Sequence, residues 1–202
     1  MRKEKYIYNQ NFRGKYESKN PLSKLLISKF FFVIHKICSD IQPENALEVA
    51  CGHGYSTMKL KKSLNNINLE ASDYEERLIS DAKKLNPDIN FKKESIYKLD
   101  RNNDSFSLVF ALEVLEHLDN PNLALEELRR VCNNYCIISV PNEPIWRILN
   151  ILRGSYWNNY GNTPGHINHW NKRTFKKLIG QYFEVQKIYT PLPWIIILAK
   201  KV

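Results

Sequence analysis

The sequence predicts an α/β protein, a three-layer sandwich in which helices cover both faces of a seven-stranded, mostly parallel sheet whose last two strands run antiparallel. Three observations lead there. From Asn45 onward, short apolar runs alternate with stretches of helical period, the pattern of a parallel sheet wrapped by its own crossovers. The first of these runs, Ala46 to Ala50, passes through Cys51-Gly52-His53-Gly54 directly into a helical stretch. Near the C-terminus, two apolar runs are separated only by Thr190-Pro191-Leu192-Pro193, too few residues for a parallel crossover.

Taken in order, residues 1–40 form an N-terminal arm and a helix. The arm is polar and aromatic, with Tyr6, Tyr8, Phe12 and Tyr16 among basic residues and no period. Leu22 to Ser39 then places Leu22, Leu25, Leu26, Phe30, Val33, Ile34 and Ile37 at helical spacing with Lys24, Lys29 and Lys36 between them, a basic amphipathic helix. Packing on the domain's own sheet is its expected use, and binding to a membrane surface the alternative. Strands are expected at Ala46–Ala50, Asn68–Ser72, Ile89–Lys93, Phe106–Ala111, Tyr135–Val140, Phe183–Tyr189 and Trp194–Lys200. Helices are expected at Tyr55–Leu64, at Glu75–Leu85 where Asn86-Pro87 ends it, at Pro121–Val131 capped by Asn120, and at Lys172–Gln181. Residues 142–170, rich in Trp, Tyr, Asn and His, read as one long irregular insertion; a loop of that length in a compact domain is usually functional, and it is the expected substrate cap.

Length and composition narrow the field. At 202 residues the chain suits a single domain with a core that needs no disulfides or metal to stand. No apolar run approaches the roughly 18 residues of a membrane span, and the N-terminus lacks the apolar core of a secretory signal, so the expected compartment is the cytoplasm. Cys38, Cys51, Cys132 and Cys136 form no CxxC pair and have no histidine at zinc-finger spacing; they are expected to be small buried residues. The formal charge of +9 favours polyanionic partners, but with Lys abundant throughout it is read first as a habit of composition.

The strongest local signal is Ala46-Leu47-Glu48-Val49-Ala50-Cys51-Gly52-His53-Gly54-Tyr55. Glycine allows a tight turn and close approach of a ligand to the backbone, and the helix that follows offers its N–H groups. Nineteen residues after Gly54, Asp73 follows the second strand, where a carboxylate can accept from both hydroxyls of a ribose. The pair fits a nucleoside cofactor without separating adenosylmethionine from NAD. A dinucleotide fingerprint would need a third glycine where Thr57 stands.

Leu47 to Thr57, with Asp73, Phe106-Ser107-Leu108-Val109, Glu113-Val114-Leu115-Glu116-His117-Leu118 and Glu126 to Val131, resembles the class I S-adenosylmethionine-dependent methyltransferases, and within them the small-molecule branch that includes ubiquinone-biosynthesis enzymes. The resemblance covers Leu47 to Pro141 and implies a Rossmann-like fold, S-adenosyl-L-methionine as cofactor and methyl transfer as the activity. It places the methionine part of the cofactor along Glu48, Ala50, Cys51, Gly52 and Gly54, the ribose on Asp73, the adenine under Tyr74 and beside Glu94 and the Ser95 backbone, and the sulfonium beside Leu112. Two positions depart from the pattern: Ala50 stands for the usual first glycine, a mild change if its φ is negative, and Ser107 stands for a common Asp, with a structural hydrogen bond as its expected role. His117 is the first choice of base, with His166 and His169 after it. No metal is expected; Glu113, Glu116 and His117 form the alternative ligand set, because some relatives hold a divalent cation with such a cluster. The acceptor is expected to be a small molecule, with Trp146, Tyr156, Trp157, Tyr160 and Trp170 fitting an aromatic, sugar or lipid-linked group. An RNA methyltransferase and a non-catalytic cofactor-binding scaffold are the alternatives, and nucleic acid is not the expected partner.

Overall fold

A computed structural model describes residues 20–65 and 67–202; the N-terminal arm with its four aromatic residues lies outside the described residues. Its elements are α1 (Pro21–Ile41), β1 (Asn45–Val49), α2 (Tyr55–Ser63), β2 (Asn68–Asp73), α3 (Glu76–Leu85), β3 (Asn90–Lys93), β4 (Phe106–Leu112), α4 (Pro121–Val131), β5 (Cys132–Pro141), α5 (Ile145–Leu152), α6 (Lys172–Ile179), β6 (Glu184–Tyr189) and β7 (Trp194–Lys200). Short 3₁₀ turns lie at Leu115–His117 and Trp157–Asn159.

The seven strands form one sheet in the order β3-β2-β1-β4-β5-β7-β6. The first five are parallel, and β7 runs antiparallel between β5 and β6, as the short connection predicts. The order reverses between β1 and β4, and a parallel sheet opens a crevice at the C-terminal ends of the strands at such a point. Alternation in β1 shows how the strands serve both layers: Leu47 and Val49 enter the core under α4 and α6, while Ala46 enters the core under α1, α2 and α3.

Helix boundaries follow local chemistry. The Asn20 side chain accepts from Leu22 N–H and Pro21 opens α1; Asn120 does the same for α4 by accepting from Leu123 N–H, with Pro121 first in the helix. The α6 start is a capping box that the sequence reading did not include, with Asn171 and Thr174 satisfying each other's backbone N–H groups.

The insertion after β5 corrects the expectation of an irregular stretch: Ile145–Leu152 is a helix. Its period is inverted with respect to the core, because the inward position belongs to a polar residue. Asn150 is buried and donates to Gly161 O at 2.7 Å and Thr163 Oγ at 3.2 Å, while Ile148 and Leu152 face out. A helix with its apolar and polar sides exchanged does not register as amphipathic toward a core.

Candidate active site

β1, β2 and β4 all end at the same edge of the sheet, and the chemistry-bearing residues gather in the turns that leave it. After β1, the chain turns through three αL positions on alternate residues: Ala50 at φ 57°, Gly52 at φ 58° and Gly54 at φ 78°. Ala50 therefore does not meet the condition for a mild replacement; its Cβ is strained where glycine would not be. Gly54 is fixed by packing as well. A Cβ there would stand 2.8 Å from Asn86 Nδ2 and 2.9 Å from Ala82 Cβ, so the close approach of α3 requires its absence.

Several groups pin this loop. Cys51 N–H donates to Ser72 O at 2.9 Å, tying the turn to β2. Asp73 accepts from Gly52 N–H at 2.9 Å through Oδ2 and from Glu75 N–H at 3.0 Å through Oδ1. Burial raises its pKa and those two N–H groups pull it back. Glu48 is buried under the loop and accepts from Thr57 Oγ at 2.5 Å. Desolvation pushes its carboxyl up to about 7, against the hydrogen bonds of Ser56 and Thr57. Burial likewise drives the Cys51 thiol well above its ordinary range, and all four cysteines are free and buried, as expected.

Two supports escaped the sequence reading. Asn86, read only as a helix stop, donates from Nδ2 to Gly54 O at 3.0 Å, and His53 Nδ1 stands 3.1 Å from Asp81 Oδ2 on α3. Nothing at the level of periodicity marks either one, since each acts across 28 or more residues.

At the β3 end, the Glu94 N–H donates to Asp73 O at 3.0 Å, which places the Glu94 backbone beside the Asp73 turn. Its side chain points elsewhere: Oε1 lies 3.1 Å from Arg101 Nε, and Oε2 accepts from Asp100 N–H at 3.2 Å. Arg101 also bridges to Glu70, so the carboxylate expected beside the adenine already serves the crossover to β4. Ser95 accepts from Tyr97 N–H through its hydroxyl and from Lys98 N–H through its carbonyl, and Tyr74 is 37% exposed at the rim. Ser107 is structural, as expected: its hydroxyl accepts from Glu44 and Asn45 N–H and donates to Asn45 O, stitching the start of β4 to β1.

Past Leu112 at the β4 end, Glu113 adopts φ 59° and turns its carboxylate to the β5–β7 side, accepting from Ser139 Oγ at 3.2 Å and Trp194 Nε1 at 2.6 Å. Glu113 is thereby separated from Glu116 and His117. The structure instead brings His166 to them from the cap, and one ligand atom from each of Glu116, His117 and His166 lies within 4.8 Å of the others. The alternative metal set read from the sequence is corrected in that member, because the αL turn at Glu113 sends neighbouring side chains in opposite directions.

The cap clasps this turn through its backbone. Glu116 O accepts from Ile167 N–H at 2.9 Å and Asn168 N–H at 3.1 Å, while the Asn168 amide donates to Leu115 O and Leu118 O. His117 Nδ1 donates to Gly165 O at 2.9 Å, so a neutral ring carries its lone pair on Nε2. The His117 and His166 rings meet edge-on at 4.8 Å, and Trp146 stacks on His166 at 5.9 Å. His169 is not part of this group. Its Nε2 lies 2.9 Å from an Arg147 nitrogen and its Nδ1 3.6 Å from Glu143; burial, then Arg147, lowers its pKa. Among the described residues, no helix is long and apolar enough to cross a membrane.

Comparison with known proteins agrees with this geometry. Residues 46–134, from β1 into β5, match the sequence model of a family described as a methyltransferase domain. No curated protein matches the chain. Among solved structures it is similar to magnesium protoporphyrin IX methyltransferase from Synechocystis, determined with bound SAH, at 15% identity over 95% of this chain and 93% of that one, with a TM-score of 0.71. It is also similar to a SAM-dependent methyltransferase from Aquifex aeolicus, at 17% identity over 94% and 98% with a TM-score of 0.69, and to a Pyrococcus horikoshii protein, at 15% over 96% and 100% with a TM-score of 0.72. Those likenesses show the fold, and the family model marks residues 46–134 within it. Residues 46–134 thus carry a methyltransferase domain, built on a Rossmann-like sheet.

Proposed function

We propose that the protein transfers a methyl group from S-adenosylmethionine to a hydroxyl or amine of a small-molecule acceptor, with His117 as the base. The observation that carries this reading is the His117 ring, fixed through Nδ1 to Gly165 of the cap so that Nε2 is the proton-accepting atom at the end of β4. The cofactor supplies a methyl carbon bonded to a positively charged sulfur. The acceptor's lone pair forms the new bond to that carbon as the carbon–sulfur bond breaks, the acceptor's proton passes to His117, and S-adenosylhomocysteine departs. The protein contributes alignment and exclusion of water rather than a covalent intermediate.

On this reading the αL turn 50–54 receives the methionine part of the cofactor, with Glu48 buried beneath it. Asp73 keeps carboxylate lone pairs for the ribose besides the two given to Gly52 and Glu75. Tyr74, the Ser95 backbone and the Glu94 backbone border the adenine, and Leu112 borders the sulfonium. The cap brings His166 and Trp146 to the acceptor side, which suits an aromatic, sugar or lipid-linked molecule. Calorimetric titration with S-adenosylmethionine and S-adenosylhomocysteine, NAD serving as control, tests the cofactor: micromolar binding of the first two alone is expected, and saturable NAD binding would overturn it.

A second reading rests on the closeness of Glu116, His117 and His166, which supply the carboxylate and imidazole donors that suit a divalent transition metal. A cation held there would bind the acceptor oxygen and ease its deprotonation. Metal analysis after incubation with zinc, manganese or magnesium separates the two: retention of one ion per chain, lost in His166→Ala, supports the metal, and turnover indifferent to chelation supports the base.

A further inference from the structure

The charge of this protein is segregated, and the segregation coincides with its exposed apolar side chains. Residues 40–143 hold 18 of the 21 acidic residues against 12 basic ones, a net of −6. Residues 144–183, the cap beyond Glu143 together with α6, hold no acidic residue and six basic ones. The α1 segment 21–39 also holds no acid, and carries Lys24, Lys29 and Lys36. The overall +9 is therefore the sum of an acidic cofactor half and basic flanks, not a uniform habit of composition.

Those two acid-free segments present apolar groups that the described residues leave exposed. Along α1, Phe30, Phe31, Ile34 and Ile37 pack inward, while Leu22, Leu25 and Phe32 recur on the outer side with Lys29 and Lys36; Phe32 is 67% exposed. On α5 the inward position is Asn150, and Ile148 and Leu152 look out, Leu152 at 77% exposure. Trp157, 66% exposed, follows in the next 3₁₀ turn, where its Nε1 donates to Ile151 O of α5. The two helices are joined through one side chain: Phe30 of α1 meets Trp194 at 5.0 Å, and Trp194 meets Trp146 of α5 at 6.1 Å. Trp146 in turn stacks on His166, so the exposed surfaces belong to the elements that wall the acceptor side of the site.

We propose that the outer faces of α1 and α5 dock the protein on an anionic lipid bilayer, and that the acceptor is reached from that interface. Aliphatic and aromatic side chains flanked by lysine and arginine, with carboxylates only at the margins, in Asp40 at the end of α1 and the buried Glu143 before α5, match a surface of acyl chains beneath anionic headgroups: the apolar groups enter the boundary and the basic groups meet the phosphates. Nucleic acid fits less well. It would be met by basic and stacking groups, and leucine and isoleucine at 22, 25, 148 and 152 offer it nothing. The docking itself stands apart from the catalytic assignment; only the route of the acceptor rests on the methyltransferase reading of the site.

Co-sedimentation of the full chain with vesicles of phosphatidylcholine alone, and of phosphatidylcholine mixed with phosphatidylglycerol, tests it. Binding to the mixed vesicles, weakened by salt and absent on phosphatidylcholine alone, is expected. Phe32→Glu and Leu152→Glu should each lower the partition coefficient about tenfold, as removal of one buried apolar side chain implies. Both substitutions lie on the surface, and unchanged melting and S-adenosylmethionine titration would show that fold and cofactor site are intact. No sedimentation with anionic vesicles overturns the proposal, as does sedimentation indifferent to both substitutions. Salt-sensitive binding to single-stranded RNA without vesicle binding also overturns it and gives the basic flanks to nucleic acid. Vesicle binding without cofactor binding would instead count against the catalytic reading and leave the docking in place.

Discussion

Between Ala46 and Asn134, inward-facing polar groups are held by near neighbours in the sheet and its turns: Asp73 by the N–H groups of Gly52 and Glu75, Glu48 by Thr57, Ser107 by the first residues of β1. The cap, residues 142–170, is built the other way. Its helix buries an asparagine and turns isoleucine and leucine outward, and residues 165–168 hold the cap to the turn at Leu115–Leu118. The difference teaches that the first region is a rigid cradle whose parts fix one another, whereas the second is attached at a few points and borrows its position from them. A cofactor site needs the former. An acceptor site, which changes from one enzyme to the next on the same fold, needs only the latter.

The sharpest way to break this contrast is Asp73→Ala. Losing two charge-assisted hydrogen bonds of about 1.5–3 kcal/mol each should loosen the whole turn and lower S-adenosylmethionine affinity at least about 100-fold. Calorimetry checks it; an affinity within about threefold of the parent would mean that the cradle does not depend on this residue. Next in size is Asn150→Leu, which acts on the cap alone. It strands the Gly161 carbonyl, takes one donor from Thr163 Oγ and should cost about 1–3 kcal/mol. Hydrogen exchange should quicken over residues 155–168 while cofactor affinity stays put; equal quickening in β1 and β2 would show that the two regions are one cooperative unit.

A pH series sharpens the comparison further. Burial raises the Glu48 carboxyl from 4.5 to about 7, so the folded chain holds that proton more tightly than the unfolded chain does. The stabilising contribution is complete below the unfolded value and is lost as the pH rises through about 7. The melting temperature of the cofactor-free protein should therefore fall between about pH 5 and pH 8, and Glu48→Gln should remove that part of the slope. An unchanged slope in the variant would assign the pH dependence to another group. The smallest expected effect is a gain: Ala50→Gly relieves an αL alanine, worth about 1 kcal/mol, and should raise the melting temperature by roughly 2–4 °C. A lower melting temperature would show that the entropy of the added glycine outweighs the strain.

Much of the cradle is legible in the sequence because its signals are local. Strands declare themselves by apolar runs, the turn by its glycines, and Asp73 by its distance from them. The cap helix is not legible, since it is short and Asn150 occupies the inward position where a core-facing helix carries an apolar residue. Nor is the meeting of His117 with His166, which the fold makes between residues far apart in the chain, nor the turning away of Glu113, which depends on a single positive φ. Ala50 shows a third kind of limit: the substitution is plain in the sequence, but its consequence depends on a dihedral angle that the sequence does not print.

The position of β7 has a consequence for how this chain is made. Of the seven strands it is the last to be synthesised, yet it lies between β5 and β6 and pairs along β5 from Tyr135 to Pro141. Until residues 194–200 have emerged from the ribosome, β5 presents an open row of backbone donors and acceptors, and β6 has no strand to join. A nascent chain in that state is exposed to pairing with its neighbours, and truncations that stop short of Trp194 should accumulate as aggregates rather than as a smaller folded protein.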